Sequence, residues 1–229
     1  MTHLQISRRS FIKGVQATAL IPMVGFSETL TGVKGLSREH CTALLKTWCD
    51  GLLAHQVASH GGLACPACEI IHGRSFDALY PLLHVAHATG EAKYLDAAIR
   101  VHSWSESLSL PNGCWLSNFG EQWHETTAFN ATTLSEALRY HGAILNATTR
   151  TRWTDRLAHA TTFLDGLKAP RATDASVAEF TQKNLNTLAA NTHEGLLYQP
   201  PYTPGQNVLP CIQDTISQAK ALAMTLDCA

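Results

Sequence analysis

Apolar residues recur at every third or fourth position in five segments between residues 37 and 167, and this spacing constrains the fold most. It places the apolar side chains on one face of a helix, whereas the alternation typical of β-strands is nearly absent. Ser37 is a candidate N-cap, Gly90 ends the second segment, and Pro111-Asn112-Gly113 forms a turn. The predicted helices cover about residues 37–58, 75–88, 91–108, 127–145 and 149–167. We therefore expect an all-α protein of antiparallel helical hairpins.

The helical pattern weakens after Leu167. Five of the nine prolines lie in this part of the chain, and only about residues 176–190 and 214–226 keep a helical spacing. We therefore expect clear hairpins to about residue 167 and a less regular stretch over 168–229.

Composition excludes several classes of protein. Charged residues make up 15% of the 229 residues and the net charge is −1, so the chain lacks the high charge of a disordered protein. It also lacks the surplus of Lys and Arg needed to neutralise phosphates, which argues against a nucleic-acid partner. Seven cysteines are too few for a disulfide scaffold of this length, and the odd number leaves at least one unpaired.

The N-terminal segment has the order of a twin-arginine export signal. Arg8 and Arg9 precede an uncharged, moderately apolar run from Gly14 to Phe26, and Glu28 is the first acidic residue. This run of about 13 residues is too short to cross a bilayer, and no later segment reaches about 18 apolar residues. We predict a signal over residues 1–27, contact with the twin-arginine export machinery, and a periplasmic or secreted protein without a stable membrane span.

Two adjacent sequences resemble the repeat of (α/α)-toroid proteins. They are HGRSFDALYPLL at residues 72–83 and ATGEAKYLDAA at residues 88–98. In that repeat an inner helix, a short reversing turn and an outer helix follow one another. The resemblance covers about residues 37–167 and is to the six-hairpin glycosidases and the toroid polysaccharide lyases. It implies a carbohydrate-active protein, although such toroids host hydrolases, lyases and epimerases alike.

The length does not suffice for a closed ring. About 203 residues follow the predicted signal, enough for three or at most four hairpins. Residues 28–229 are therefore expected to form an incomplete toroid, either because the chain is shortened or because a partner completes an open arc. The fading pattern after Leu167 favours shortening.

The loop between the third and fourth predicted helices combines aromatic and ionisable residues. Aromatic faces stack on sugar rings, polar groups fix hydroxyls, and a carboxylate or imidazole can transfer a proton. Packing of the tryptophans beneath the loop is the structural alternative. The candidates are Glu121 and His124 for catalysis, and Trp115, Trp123, Glu125 and Asn130 for substrate binding.

His72, Arg74, Asp77 and Tyr80 form a second group, at the start of a predicted inner helix. Arg74 can clamp a uronate carboxylate, and His72, Tyr80 or His124 can remove the proton next to it, as in a lyase. In an inverting hydrolase, Asp77 would instead work with Glu121 or Glu125. Arg74 and Asp77 are also spaced for a simple ion pair.

Cys65 and Cys68, with His72, are spaced as three zinc ligands, and Cys114 is a candidate fourth. A short disulfide, unpaired thiols and a redox pair are the alternatives. His84 and His87, three residues apart on one helix, can share a metal. Zinc at Cys65, Cys68 and His72 is thus a candidate, and no other cofactor is expected.

The residues together predict an exported protein that acts on an acidic oligo- or polysaccharide. We favour a lyase over a hydrolase, because His, Tyr and Arg are clearer in the sequence than a defined carboxylate pair. The alternatives are a non-catalytic toroid or glycan-binding module, and a metal-binding redox protein.

Overall fold

The structure is a computed structural model that describes residues 37–116, 124–167, 192–198 and 209–228. Within these ranges the chain forms six α-helices, two short 3-10 helices (Gly73–Ala78 and Gly142–Ile144) and one small β-hairpin. The helices are α1 (Arg38–Ala54), α2 (Leu79–Thr89), α3 (Ala92–Ser107), α4 (His124–His141), α5 (Ala147–Asp165) and α6 (Ile212–Cys228). The strands are β1 (Thr192–His193) and β2 (Leu196–Leu197), which pair antiparallel. The predicted all-α fold of helical hairpins is confirmed.

The helix ends follow the local sequence. The Ser37 side chain accepts a hydrogen bond from the His40 N–H at 3.2 Å, and Asn146 caps α5 through the Thr149 N–H at 2.8 Å. Gly90 ends α2 in the left-handed conformation that glycine adopts without strain (φ 70°). Three helices differ from the predicted bounds by three to four residues: α1 ends at Ala54, the 3-10 helix Gly73–Ala78 precedes α2, and α4 spans His124–His141 where 127–145 is predicted. The predicted helix over 176–190 lies outside the described residues.

The inner helix α2 lies at the centre of the described core. Eight of its eleven residues are buried, and it packs against α1, α3, α4 and α6. The pairs α2–α3 and α4–α5 are the predicted hairpins, and α6 packs against α1 and α2. Tyr80 and His84 on α2 are therefore brought to side chains of α4 and α6. Among the described residues, no helix has the length and apolar character needed to cross a bilayer.

The β-hairpin docks on α1 through two glycines. Gly195 lies between the strands with φ +77°, and its backbone contacts Gly51 on α1 so closely that a Cβ atom on Gly51 would overlap the Gly195 carbonyl. The hairpin is bonded on both sides: the Trp48 indole N–H donates to Thr192 Oγ1 at 3.1 Å, and the Leu197 N–H donates to Thr215 Oγ1 on α6 at 2.8 Å. The hairpin thus links α1 to α6.

Gly51→Ala is expected to lower the free energy of unfolding by about 1–3 kcal/mol, because the added methyl group forces the hairpin away from α1. Urea unfolding followed by circular dichroism measures the change. Gly142→Ala is the matched control, since its Cβ would meet only the Arg150 side chain, at 3.9 Å. Equal stability of the two variants would show that the hairpin does not pack against Gly51.

Candidate functional site

A buried carboxylate organises the residues before α2. The fully buried Asp77 accepts hydrogen bonds through Oδ2 from Arg74 Nε (3.0 Å) and Nη2 (2.6 Å). Its Oδ1 accepts from Thr133 Oγ1 on α4 (2.5 Å) and from Lys220 Nζ on α6 (2.6 Å). Burial alone would raise the pKa of Asp77, but the charges of Lys220 and Arg74 hold it below its usual range. The Arg74 guanidinium also lies 4.1 Å from the centre of the Phe129 ring.

These contacts form the ion pair that the spacing of Arg74 and Asp77 allows. Both oxygens of the fully buried Asp77 accept hydrogen bonds from other side chains. A hydrolytic pair of Asp77 with Glu121 or Glu125 stays a prediction, because Glu121 and the side chain of Glu125 lie outside the described residues. The Arg74 side chain remains 42% exposed, so an anion can still reach its guanidinium.

A second carboxylate, with 13% of its side chain exposed, lies at the far end of α6. Asp227 accepts hydrogen bonds from the Tyr80 hydroxyl (2.7 Å), from His84 Nδ1 (2.9 Å) and from His141 Nε2 (2.9 Å). Burial opposes ionisation, but the hydrogen bonds from His141 and His84 hold the pKa of Asp227 far below its usual range. Burial and the bond to Asp227 raise the pKa of Tyr80 well above its usual value.

This network opens onto a cavity of about 290 Å³. His87 is exposed there, and its Nδ1 atom lies 3.2 Å from Nδ1 of the buried His141. The exposed imidazole of His87 thus contacts the buried imidazole of His141, and Asp227 orients the His141 ring. Such an arrangement can take up and release protons. His84 and His87, predicted to share a metal, contact Asp227 and His141 respectively. His84, His141 and Asp227 each place one possible ligand atom within 4.8 Å of the other two. The cavity is lined by Arg38, Thr42, His84, His87, Ala88, His141 and Asp227.

The third group contains the cysteines. His72 Nε2 lies 3.3 Å from Cys68 Sγ and 4.0 Å from Cys211 Sγ, and Cys65 Sγ lies 3.9 Å from Cys211 Sγ. Burial would raise the pKa of Cys65, but the Ile212 N–H, His72 and Cys68 lower it to about 6. With sulfur atoms beside its Nε2, His72 does not fit the predicted role of a base.

Cys114 is not part of this group. It is buried, and its Sγ lies 3.2 Å from the Trp115 carbonyl oxygen and 3.4 Å from Thr127 Oγ1. The structure therefore does not bring Cys114 to Cys65 and His72, and Cys211 lies beside them instead.

The structure describes only the two ends of the loop between α3 and α4, where the sequence predicts a site. Glu121 and Trp123 lie outside the described residues, and for His124 and Glu125 the structure describes only the backbone of the first turn of α4. Trp115 is 1% exposed, its indole N–H donates to Ser105, and the Arg156 guanidinium lies 3.5 Å from its ring centre, so it has no free face for a sugar. Asn130 is buried, and its Oδ1 accepts no hydrogen bond among the described residues.

Several residues that complete these groups were not predicted. His141, Cys211, Lys220 and Asp227 are distant in sequence from the residues that they contact. His141 is predicted to lie on the same helix face as Leu134 and Leu138, but no pattern along the chain indicates that this face meets α2. Cys211 was interpreted as a small apolar residue.

Comparison with known proteins identifies the family. Residues 45–174 match the model of the ulvan lyase N-terminal domain. The broad-specificity ulvan lyase of Formosa agariphila is 42% identical over 144 residues, which are 59% of this chain and 22% of that protein. The match thus spans about a fifth of that relative's length. No solved structure matches the chain. The chain belongs to the ulvan lyase N-terminal domain family.

Proposed function

We propose that the chain acts on an acidic polysaccharide as a lyase, which cleaves the chain by β-elimination. The observation that carries this proposal is the 42% identity to the ulvan lyase of Formosa agariphila over 144 residues. The proposal agrees with the preference for a lyase that the residues of the sequence suggested.

β-Elimination places three demands on a site. The uronate carboxylate must be neutralised, so that the hydrogen on the adjacent carbon becomes acidic. A base then removes that proton, and the electron pair forms a carbon–carbon double bond as the bond to the glycosidic oxygen breaks. The departing oxygen takes a proton, so no water is added and one product carries an unsaturated uronate.

The cavity beside α2 supplies groups suited to these demands. Arg38 at its rim can bind a carboxylate through two parallel hydrogen bonds. The exposed His87, in contact with His141, is the candidate proton acceptor, and Asp227 fixes the orientation of the His141 ring. The volume of about 290 Å³ is close to the lower limit of ligand pockets, which suits one sugar unit at a time.

We propose further that residues 28–229 form part of an (α/α) toroid and that residues 1–27 direct export by the twin-arginine route. The all-α hairpins support the first statement, and Arg8 and Arg9 before an apolar run support the second. The predicted loop residues remain candidates, Glu121 and His124 for catalysis and Trp123 and Glu125 for substrate binding. Cell fractionation tests export, because a twin-lysine variant should remain in the cytoplasm if the proposal holds.

The experiment incubates the purified chain with ulvan and with other uronate-containing polysaccharides. A lyase produces ultraviolet absorbance from unsaturated uronate at the same rate as new reducing ends. New reducing ends without that absorbance would identify a hydrolase and contradict the proposal. Retained binding to ulvan with no product would equally contradict it, in favour of a non-catalytic glycan-binding module.

A further inference from the structure

We propose that Cys65, Cys68, His72 and Cys211 bind one zinc ion with a structural role. Three of these residues, Cys65, His72 and Cys211, place one ligand atom each within 4.8 Å of the other two. Cys68 extends the set, because its sulfur lies 3.3 Å from His72 Nε2. Three cysteines and one histidine are one of the usual ligand sets of closed, structural zinc sites.

The distances fit a tetrahedral site. Zinc bonds of about 2.3 Å to sulfur and 2.0–2.1 Å to nitrogen place two sulfurs about 3.8 Å apart, and a sulfur and a nitrogen about 3.6 Å apart. The sulfurs of Cys65 and Cys211 are 3.9 Å apart, and His72 Nε2 lies 3.3 Å and 4.0 Å from two sulfurs. These three distances lie within a few tenths of an ångström of the tetrahedral values.

The position of Cys211 suits a thiolate ligand. Cys211 immediately precedes the 17-residue helix α6, which begins at Ile212. The N-terminus of a helix favours negative charge, because its first N–H groups have no partner within the helix.

The fold gives this site a structural purpose. Residues 65–72 form a tight turn, in which the Cys65 N–H bonds to the Ile70 carbonyl (2.9 Å) and the Glu69 N–H to the Cys65 carbonyl (2.8 Å). Glu69 adopts a φ of 59° there, although it is not a glycine. Zinc would fasten this turn to the first residue before α6, more than 130 residues later in the chain. A disulfide between Cys65 and Cys211 would make the same link but would leave Cys68 and His72 without a role.

The experiment measures zinc in the full chain, purified under reducing conditions and dialysed against metal-free buffer. We expect about one zinc per chain by mass spectrometry of the metal. The Cys211→Ser variant should lose most of it, whereas the control Cys228→Ser, which alters an exposed cysteine outside the group, should keep it. Circular dichroism establishes that each variant is folded.

Cobalt substitution gives a second measurement, which does not depend on a variant. Metal-free wild-type chain titrated with Co²⁺ should develop the visible bands of a tetrahedral ion together with a near-ultraviolet thiolate-to-cobalt band, saturating at one equivalent. Cobalt bands of an octahedral ion, or no saturation, would overturn the proposal. A reduced chain that holds no zinc would overturn the proposal as well. So would an intact mass lower by two hydrogens, the sign of a disulfide, that persists after reductant and zinc are added.

Discussion

His87→Gln should lower the rate of unsaturated uronate formation by about 10²- to 10⁴-fold, the usual contribution of a positioned acid or base. His87 is the exposed end of the chain of contacts that runs through His141 to Asp227. Glutamine has a similar length and can form hydrogen bonds, but its amide cannot accept a proton near neutral pH. The loss should therefore fall mainly on kcat, with a smaller change in KM.

His159→Gln is the matched control, because His159 is an exposed histidine on α5 and does not line the cavity. The rate of this variant should stay within about a factor of two of the original rate, because surface substitutions usually have small effects. The variants Glu121→Gln and His124→Ala test the loop in the same assay. If either of them abolishes elimination while His87→Gln retains it, the base lies in the loop and the cavity has another role.

The sequence was sufficient to predict the helical hairpins, because each depends on local information. Ser37 marks a helix start through its side chain, and Gly90 marks a helix end through its backbone conformation. The spacing of the apolar residues in α2 and α3 predicts which helix faces are buried. The observed helix bounds differ from the predicted ones where tertiary packing determines the local conformation. Gly73–Ala78 winds as a 3-10 helix, in which Arg74 and Asp77 form their short-range pair.

The candidate sites were harder to predict, because each is completed by residues distant in the sequence. The partners of Asp77 and His84 on α6, and the partner of Cys65 just before α6, follow them by more than 140 residues. Spacing along the chain gave Arg74 beside Asp77 and Cys65 near Cys68, but it could not show which face of α6 meets α2. The interpretation of Trp115 failed for the related reason that a tryptophan in a loop sequence can be either exposed or buried.

Asp77→Asn should lower the free energy of unfolding by about 3–5 kcal/mol, because it leaves buried positive charge without its partner. Lys220 loses its carboxylate at 2.6 Å and has only 13% of its side chain exposed, so water does little to replace the bond. Urea unfolding at neutral pH measures the loss. Asp96→Asn, at an exposed position on α3, is the control and should change stability by less than about 0.5 kcal/mol.

The pH dependence of this loss identifies its electrostatic origin. The pKa of Asp77 is lowered in the folded chain, so its contribution is fully present above the unfolded pKa of about 3.9 and is lost as the pH falls through the folded pKa. The stabilities of the original chain and of Asp77→Asn should therefore differ by a constant amount from pH 5 to 8 and converge in acid. The double variant Asp77→Asn, Lys220→Met should recover part of the loss, since it removes the unpaired cation. Two results would mean that Asp77 stabilises the fold by shape and hydrogen bonding, independently of its charge. The first is a loss of stability that stays the same in acid. The second is a double variant whose loss equals the sum of the losses of the two single variants.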